Sequence, residues 1–126
     1  MKNFALSLLA LGALTFGAGC SGPSYDHTTV TNVSQGDLAA TVSLQVISMP
    51  VGAAVRANIT PYNDDNKVMS VDAVCDSPTV LEVAHGLDGT EFIFMGRTVG
   101  VTQVRFMADG QLIATARAEV TAQGAP

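Results

Sequence analysis

The chain has 126 residues, enough for one domain with a core of its own and too few for two of ordinary size. Its net charge is −5, and its six Lys and Arg are scattered rather than clustered, which argues against nucleic acid or an anionic membrane surface as partner. No paired His or paired Cys spacing is present, which argues against a structural zinc site, and no metal site is assigned.

The first segment reads as a leader. Lys2 precedes an uncharged run, Phe4 to Gly19, that is apolar and ends in small residues. One basic residue, an apolar centre and a small-residue end describe a secretory signal peptide. The uncharged stretch between Lys2 and Cys20 is 17 residues, marginal for a membrane span, and its Gly-rich end argues further against one. The Gly17-Ala18-Gly19-Cys20 run resembles a bacterial lipobox, with Gly17 where such signals usually carry Leu. The resemblance implies cleavage before Cys20 and acylation of its thiol. Ser21, rather than Asp, follows the cysteine, and by the same resemblance this favours the outer membrane, at its periplasmic face or at the cell surface. The alternative is an ordinary secreted protein cleaved near Ala18 or Gly19. Without residues 1–19 the chain keeps five basic residues against 11 acidic ones, a charge near −6. An acidic surface of this kind mostly serves solubility.

Residues 20–37 follow as a lipidated cysteine and a flexible tether, rich in Ser, Thr, Gly and Asn. Within it, His27 to Val33 has an alternative reading as an edge strand. The domain proper is expected over residues 38–126. Ala40 to Met49 alternates, with Val42, Leu44 and Val46 facing inward, and Pro50-Val51-Gly52 ends it. Ala53 to Thr60 alternates with Val55, Ala57 and Ile59 inward. Pro61 to Asn66 is a polar connection. Lys67 to Asp76 puts Met69, Val71, Ala73 and Cys75 on one face. The asparagine-containing triplets at Asn32 and Asn58 match the glycosylation sequon, a chance match in a bacterial lipoprotein.

From Pro78 to Thr121 the pattern predicts a β-meander of four strands: Val80 to His85, Thr90 to Arg97, Val101 to Ala108 and Gln111 to Thr121. Asp109-Gly110 is a hairpin turn between the last two. Leu112, Ala114, Ala116, Ala118 and Val120 face the core on the last strand. Phe92 and Phe94 fill the core, which leaves Ile93 and Met95 on the outer face, either covered by the tether or forming a contact patch. About seven strands at spacings of about ten residues predict an all-β fold, a sandwich of two antiparallel sheets.

The run Val71 to Val83, with Ser77-Pro78-Thr79-Val80 at its centre, resembles the middle of a group 2 bacterial immunoglobulin-like domain. Gly100-Val101-Thr102-Gln103-Val104, Pro50-Val51-Gly52 and Ile59-Thr60-Pro61 match further landmarks of that family, over roughly residues 40–121. Ala73 stands where the family carries a Trp. The resemblance implies an immunoglobulin-like sandwich of the kind found in adhesins, surface proteins and envelope lipoproteins, and it implies no particular ligand.

Catalytic residues are sparse. His27 lies in the tether and His85 beside the Gly86-Leu87-Asp88-Gly89 turn. Cys75 with His85 would make a nucleophile and base; the competing reading is a core thiol and a turn histidine, with a Cys20–Cys75 disulfide a third option. Asn63-Asp64-Asp65-Asn66 supplies hard oxygen ligands but lacks the glycines and closing Glu of a calcium loop. No cofactor is expected. The expected function is a non-catalytic, lipid-anchored envelope module serving binding, adhesion or structure. Its partners are the membrane, through lipid on Cys20, and an envelope protein or glycan, without nucleic acid or a small-molecule substrate. The second reading is an accessory or inhibitory subunit of an envelope enzyme or transport assembly. Tyr62, Ile93 and Met95 are the candidate partner contacts, Tyr62 because an amphipathic ring in a polar loop suits an interface.

Overall fold

The computed structural model describes residues 24–34 and 40–122. Nine strands run β1 (Tyr25–Ser34), β2 (Thr41–Val42), β3 (Val46–Pro50), β4 (Ala54–Asn63), β5 (Val71–Cys75), β6 (Leu81–His85), β7 (Glu91–Gly96), β8 (Gly100–Ala108) and β9 (Gln111–Thr121). They form a four-stranded sheet in the order β1-β4-β7-β6 and a five-stranded sheet in the order β2-β3-β9-β8-β5. All pairings are antiparallel except β3 with β9, which is parallel. The all-β sandwich-like expectation holds, with nine strands rather than about seven and one parallel pair where two antiparallel sheets were expected.

The core lies between the sheets. Val55, Ala57 and Ile59 of β4 and Phe92 and Phe94 of β7 face Met49 of β3, Val104 and Phe106 of β8, and Ala116, Ala118 and Val120 of β9. All are essentially inaccessible to solvent. Each fully buried large side chain contributes about 1.5–3 kcal/mol, so the three phenylalanines and Ile59 are the main apolar contributors.

Several expectations change, each for a local reason. Within the segment expected as a tether, Tyr25–Ser34 is strand β1. Its Val30 faces Ile59 and its Thr28 faces Pro61 across the ladder, so β-branched side chains complete the edge of the sheet. The strand expected over Ala40 to Met49 is broken into β2 and β3. Ser43 breaks it: its Oγ accepts from the backbone N–H groups of Gln45 and Val46 at 3.2 and 3.0 Å. That side-chain turn shifts the alternation by one residue, so Ile47 and Met49 are buried while Val46 is 42% exposed. Strand β4 continues to Asn63 and buries Pro61, within the segment expected as a polar connection.

The four-stranded meander is instead two hairpins in different sheets. β6–β7 belongs to the four-stranded sheet and β8–β9 to the five-stranded one, with the crossing at residues 97–99. Where β7 ends, the sheets close on Gly96. Gly96 N–H donates to Ala53 O at 3.0 Å and Gly52 N–H donates to Gly96 O at 2.9 Å. Gly52 has φ 89°, and Ala53 N–H donates to Pro50 O at 3.1 Å, a type II turn that carries the chain from one sheet to the other. The Asp109-Gly110 turn has φ 48° and 82°, the primed hairpin expected. Beyond it, Phe106 faces Ala114 while Met107 faces Leu112, which leaves Ile113 as a bulge. The bulge turns Ile113 toward the core and Leu112 outward, against the expected alternation.

A Cβ on Gly96 would stand 2.9 Å from Pro50 O and 3.1 Å from Val120 Cγ1, so backbone must move to admit it. Gly96→Ala is expected to destabilise the fold by about 1–3 kcal/mol. Urea denaturation should show a lower midpoint at unchanged slope, and a midpoint equal to wild type would count against this closure.

Candidate functional site

Loops from both sheets meet at one end of the sandwich. β4 and β8 run toward it, and β5, β7 and β9 run away from it. The β4–β5 loop, the β6–β7 loop and the β8–β9 turn therefore open toward this end, with the β6–β7 loop set back beside Asn58, five residues short of Asn63 at the end of β4. Asp109 joins two of them: its carboxylate accepts from Ser70 N–H at 3.0 Å and its own N–H donates to Ser70 O at 2.9 Å. The chain also enters the fold here, with Tyr25 opposite Asn63 and Asp64 N–H donating to Ser24 O at 2.9 Å.

Tyr62 lies on this end of β4. Its ring stacks on His27 of β1, centroids 4.9 Å apart and planes 17° from parallel. The two residues face each other across the ladder, so the stack is a cross-strand pair on the outer face of the sheet. His27 Nδ1 lies 2.7 Å from Asp26 Oδ2. The loop after Tyr62 is held by Asn63, whose Oδ1 accepts from Asp65 N–H at 2.8 Å and Lys67 N–H at 3.0 Å. Asn66 takes a left-handed φ of 62°. The Asn63 oxygen is thus engaged in shaping the turn. Among the described residues no group of three His, Cys, Asp or Glu is arranged to hold a metal ion.

Ile93 and Met95 are half-buried on the outer face of β7. Ile93 stands between Arg56 and Ala84, and Met95 between Ala54 and Glu82. Two ion pairs bracket them: Arg56 Nε to Glu91 Oε2 at 3.3 Å, and the Arg97 guanidinium to Glu82 Oε1. Tyr62 is on the same outer face but six residues beyond Arg56 along β4, roughly 20 Å away. The three expected contacts therefore share a face without forming one patch. Cys20, the expected lipidation site, lies outside the described residues.

Cys75 and His85 have separate partners. Cys75 is a free, half-buried thiol with Sγ 3.8 Å from Thr102 Oγ1. His85 is exposed, its Nε2 3.2 Å from Asp72 Oδ1 and its ring 4.9 Å from that of Phe92. Asp72 and His85 belong to β5 and β6, the neighbouring edges of the two sheets, so the pair links them.

The loop end also carries side chains that the alternation pattern passes over. Leu87, at the β6–β7 tip, is fully exposed, and Val68 and Leu112 are more than half exposed. The tip itself is rigidly bonded. Leu87 N–H donates to Glu91 Oε1 at 2.8 Å, and Gly86 N–H donates to Glu91 O at 2.8 Å. Asp88 Oδ1 accepts from the N–H and the hydroxyl of Thr90, each at 3.0 Å. The signal in the sequence is an aliphatic residue inside a Gly-Asp-Gly turn, where packing gives it nothing to bury against. Val46, Val74 and Val101 are a second exposed set, all on the outer face of the five-stranded sheet.

No protein-family model matches the chain, and no curated protein matches it in sequence. Among solved structures it is similar to the crystal structure of domains 4 and 5 of the S-layer protein SbsC, with a TM-score of 0.53 at 15% identity. The match covers 72% of this chain and 54% of that one, so the chain spans about half the length of its structural neighbour. At this identity the likeness is one of fold.

The bonds at the β6–β7 tip hold the Asp88 carboxyl below its ordinary value of 3.8, first through the Thr90 N–H and then through the Thr90 hydroxyl. A lowered folded-state value means that these bonds stabilise the protein above pH 3.8 and are lost as pH falls through the lower folded value. Asp88→Asn should therefore lower the urea midpoint at neutral pH, with the gap to wild type closing below pH 3.8. A gap constant from pH 7 to pH 2 would contradict this.

Proposed function

We propose that this protein is a non-catalytic, lipid-anchored module of the bacterial cell envelope. Its immunoglobulin-like sandwich serves binding, adhesion or structure at the outer membrane. The observation that carries this reading is the join between leader and fold. A signal-type leader ends at Cys20, and Ser24, four residues later, is already bonded to the β4–β5 loop. An acylated Cys20 would thus hold a folded domain directly at the bilayer.

The strand order supports the immunoglobulin-like part of the reading. β1-β4-β7-β6 facing β9-β8-β5 follows the ABED and GFC arrangement of such sandwiches, with β3 added parallel to the last strand. A sandwich of similar fold occurs in the S-layer protein SbsC. The separate partners of Cys75 and His85 support a non-catalytic role, since a nucleophile and its base must share a hydrogen bond. One observation favours the second reading, an accessory or inhibitory subunit: Val46, Val74 and Val101 on the outer five-stranded face would suit a protein partner.

Expressed from its full-length sequence in a bacterial host fed labelled palmitate, the protein should be recovered in the membrane fraction carrying label, with Cys20 as its first residue. Cys20→Ala should be unlabelled and soluble. A mature protein without label, unchanged by Cys20→Ala, would remove the anchor. A stoichiometric protein partner co-purifying from those membranes would favour the subunit reading, and recovery alone or with glycan would favour the module.

A further inference from the structure

We propose that the free edge of strand β1 pairs with the same edge of a second copy of this chain, joining two four-stranded sheets into one. The pairing is made by backbone groups of β1 and does not depend on acylation of Cys20.

The bonds of β4 show which groups of β1 are left over. Ile59 N–H donates to Thr90 O at 2.8 Å, and Met69 N–H donates to Pro61 O at 2.8 Å, so both β4 residues turn their backbone groups away from β1. In an antiparallel pair, opposite residues that exchange hydrogen bonds alternate with opposite residues that direct their N–H and C=O away from each other. Val30 stands opposite Ile59, and Thr28 opposite Pro61. Thr28 and Val30 therefore direct their N–H and C=O to the free side of β1, where no described strand pairs with them. Thr29 and Thr31, opposite Thr60 and Asn58, bond inward to β4.

The other edges of the two sheets are short. β2 has two residues, and β5 and β6 have five each and are linked to one another through Asp72 and His85. β1 has ten, and its register on β4 is regular from His27 to Thr31, between irregularities at Tyr25/His27 and Thr31/Ser34. It carries neither Lys nor Pro, the residues that guard an edge, and an unguarded run of free backbone groups is a template for another strand. The regular run is complementary to itself, and this selects a second copy as the occupant. About a two-fold axis at Thr29, two antiparallel copies set Thr28 of each against Val30 of the other, so every outward N–H meets an outward C=O. His27 then stands opposite Thr31, and Thr29 opposite its own copy, which places β-branched residues against each other through the centre. An axis at Thr28 or Val30 would instead run the pairing into Asp26 or into Asn32, whose φ of 53° breaks the strand. With the axis at Thr29, Asp26 meets Asn32 and no like charges are opposed. The two Tyr25 ends point in opposite directions, so paired copies anchored on one bilayer would lie along it.

Thr29 is exposed and lies on the proposed axis, so a cysteine there would face its own copy. Thr29→Cys is expressed from the full-length sequence in a bacterial host, and whole cells are treated with copper phenanthroline. Wild type, with Cys20 and Cys75, sets the background, and Val101→Cys, exposed on the outer face of the other sheet, controls for random collision. Expected is a disulfide-linked homodimer for Thr29→Cys alone, lost when Thr28→Pro is added, because that proline removes an N–H on the free side and none that bonds β4. Cross-linking no greater than that of Val101→Cys, or undiminished by Thr28→Pro in a chain whose circular dichroism is unchanged, would overturn the pairing. A cross-link from Thr29→Cys to a different protein would overturn it in favour of a partner's strand. Should Thr28→Pro unfold the chain, Thr29→Lys, which sets like charges face to face across the axis, decides the matter by sedimentation of the purified protein. A monomer where wild type is a dimer supports the pairing, and a mass equal to that of wild type overturns it.

Discussion

Two rows of interdigitating side chains hold this molecule together, and every surface feature depends on them. Phe92, Phe94 and Ile59 from one sheet meet Met49, Phe106 and Val120 from the other, all out of reach of water. Because successive residues of a strand point to opposite faces, fixing the inner row fixes the outer one. Ile93 and Met95 face outward because Phe92 and Phe94 face inward. Arg56 stands beside Ile93 because Val55 and Ala57 are buried.

The same rule decides how much of the fold was legible in the sequence. Where one face is buried and the other wet, alternation is clean, and β4, β7 and β8 follow it residue by residue. It fails wherever the count of two is interrupted by something the pattern does not contain. Ser43 interrupts it with a side-chain oxygen that accepts backbone hydrogen bonds, and Ile113 interrupts it with a bulge. Strand β1 was hard to see for another reason. It is an edge strand in which five of ten residues are Thr, Asn or Ser, and its support comes from pairing with β4 and from the part-buried Val30 and Val33. The loop end was least legible. It forms only when loops distant in sequence are gathered by the sheets, as Asp109 and Ser70 are.

Charge is distributed to keep the outer faces wet without creating a strong local field. Arg56, Arg97, Arg105 and Arg117 each stand against a carboxylate, Glu91, Glu82, Asp76 and Glu119 in turn. Apart from the half-buried Glu91, these pairs are largely exposed and contribute little to stability. Their effect is to neutralise the sheet faces locally, so the surplus of aspartate is felt mainly at the loops.

The parallel pairing of β3 with β9 has a mechanical consequence. Tyr25 of β1 and Thr121 of β9 sit at opposite poles of the sandwich, and both strands run along the line that joins them. A force drawing these two residues apart loads the rungs of β1 against β4, and of β9 against β3 and β8, in shear. The rungs share the load side by side instead of parting one after another, so the sandwich resists stretching along its length better than peeling from an edge.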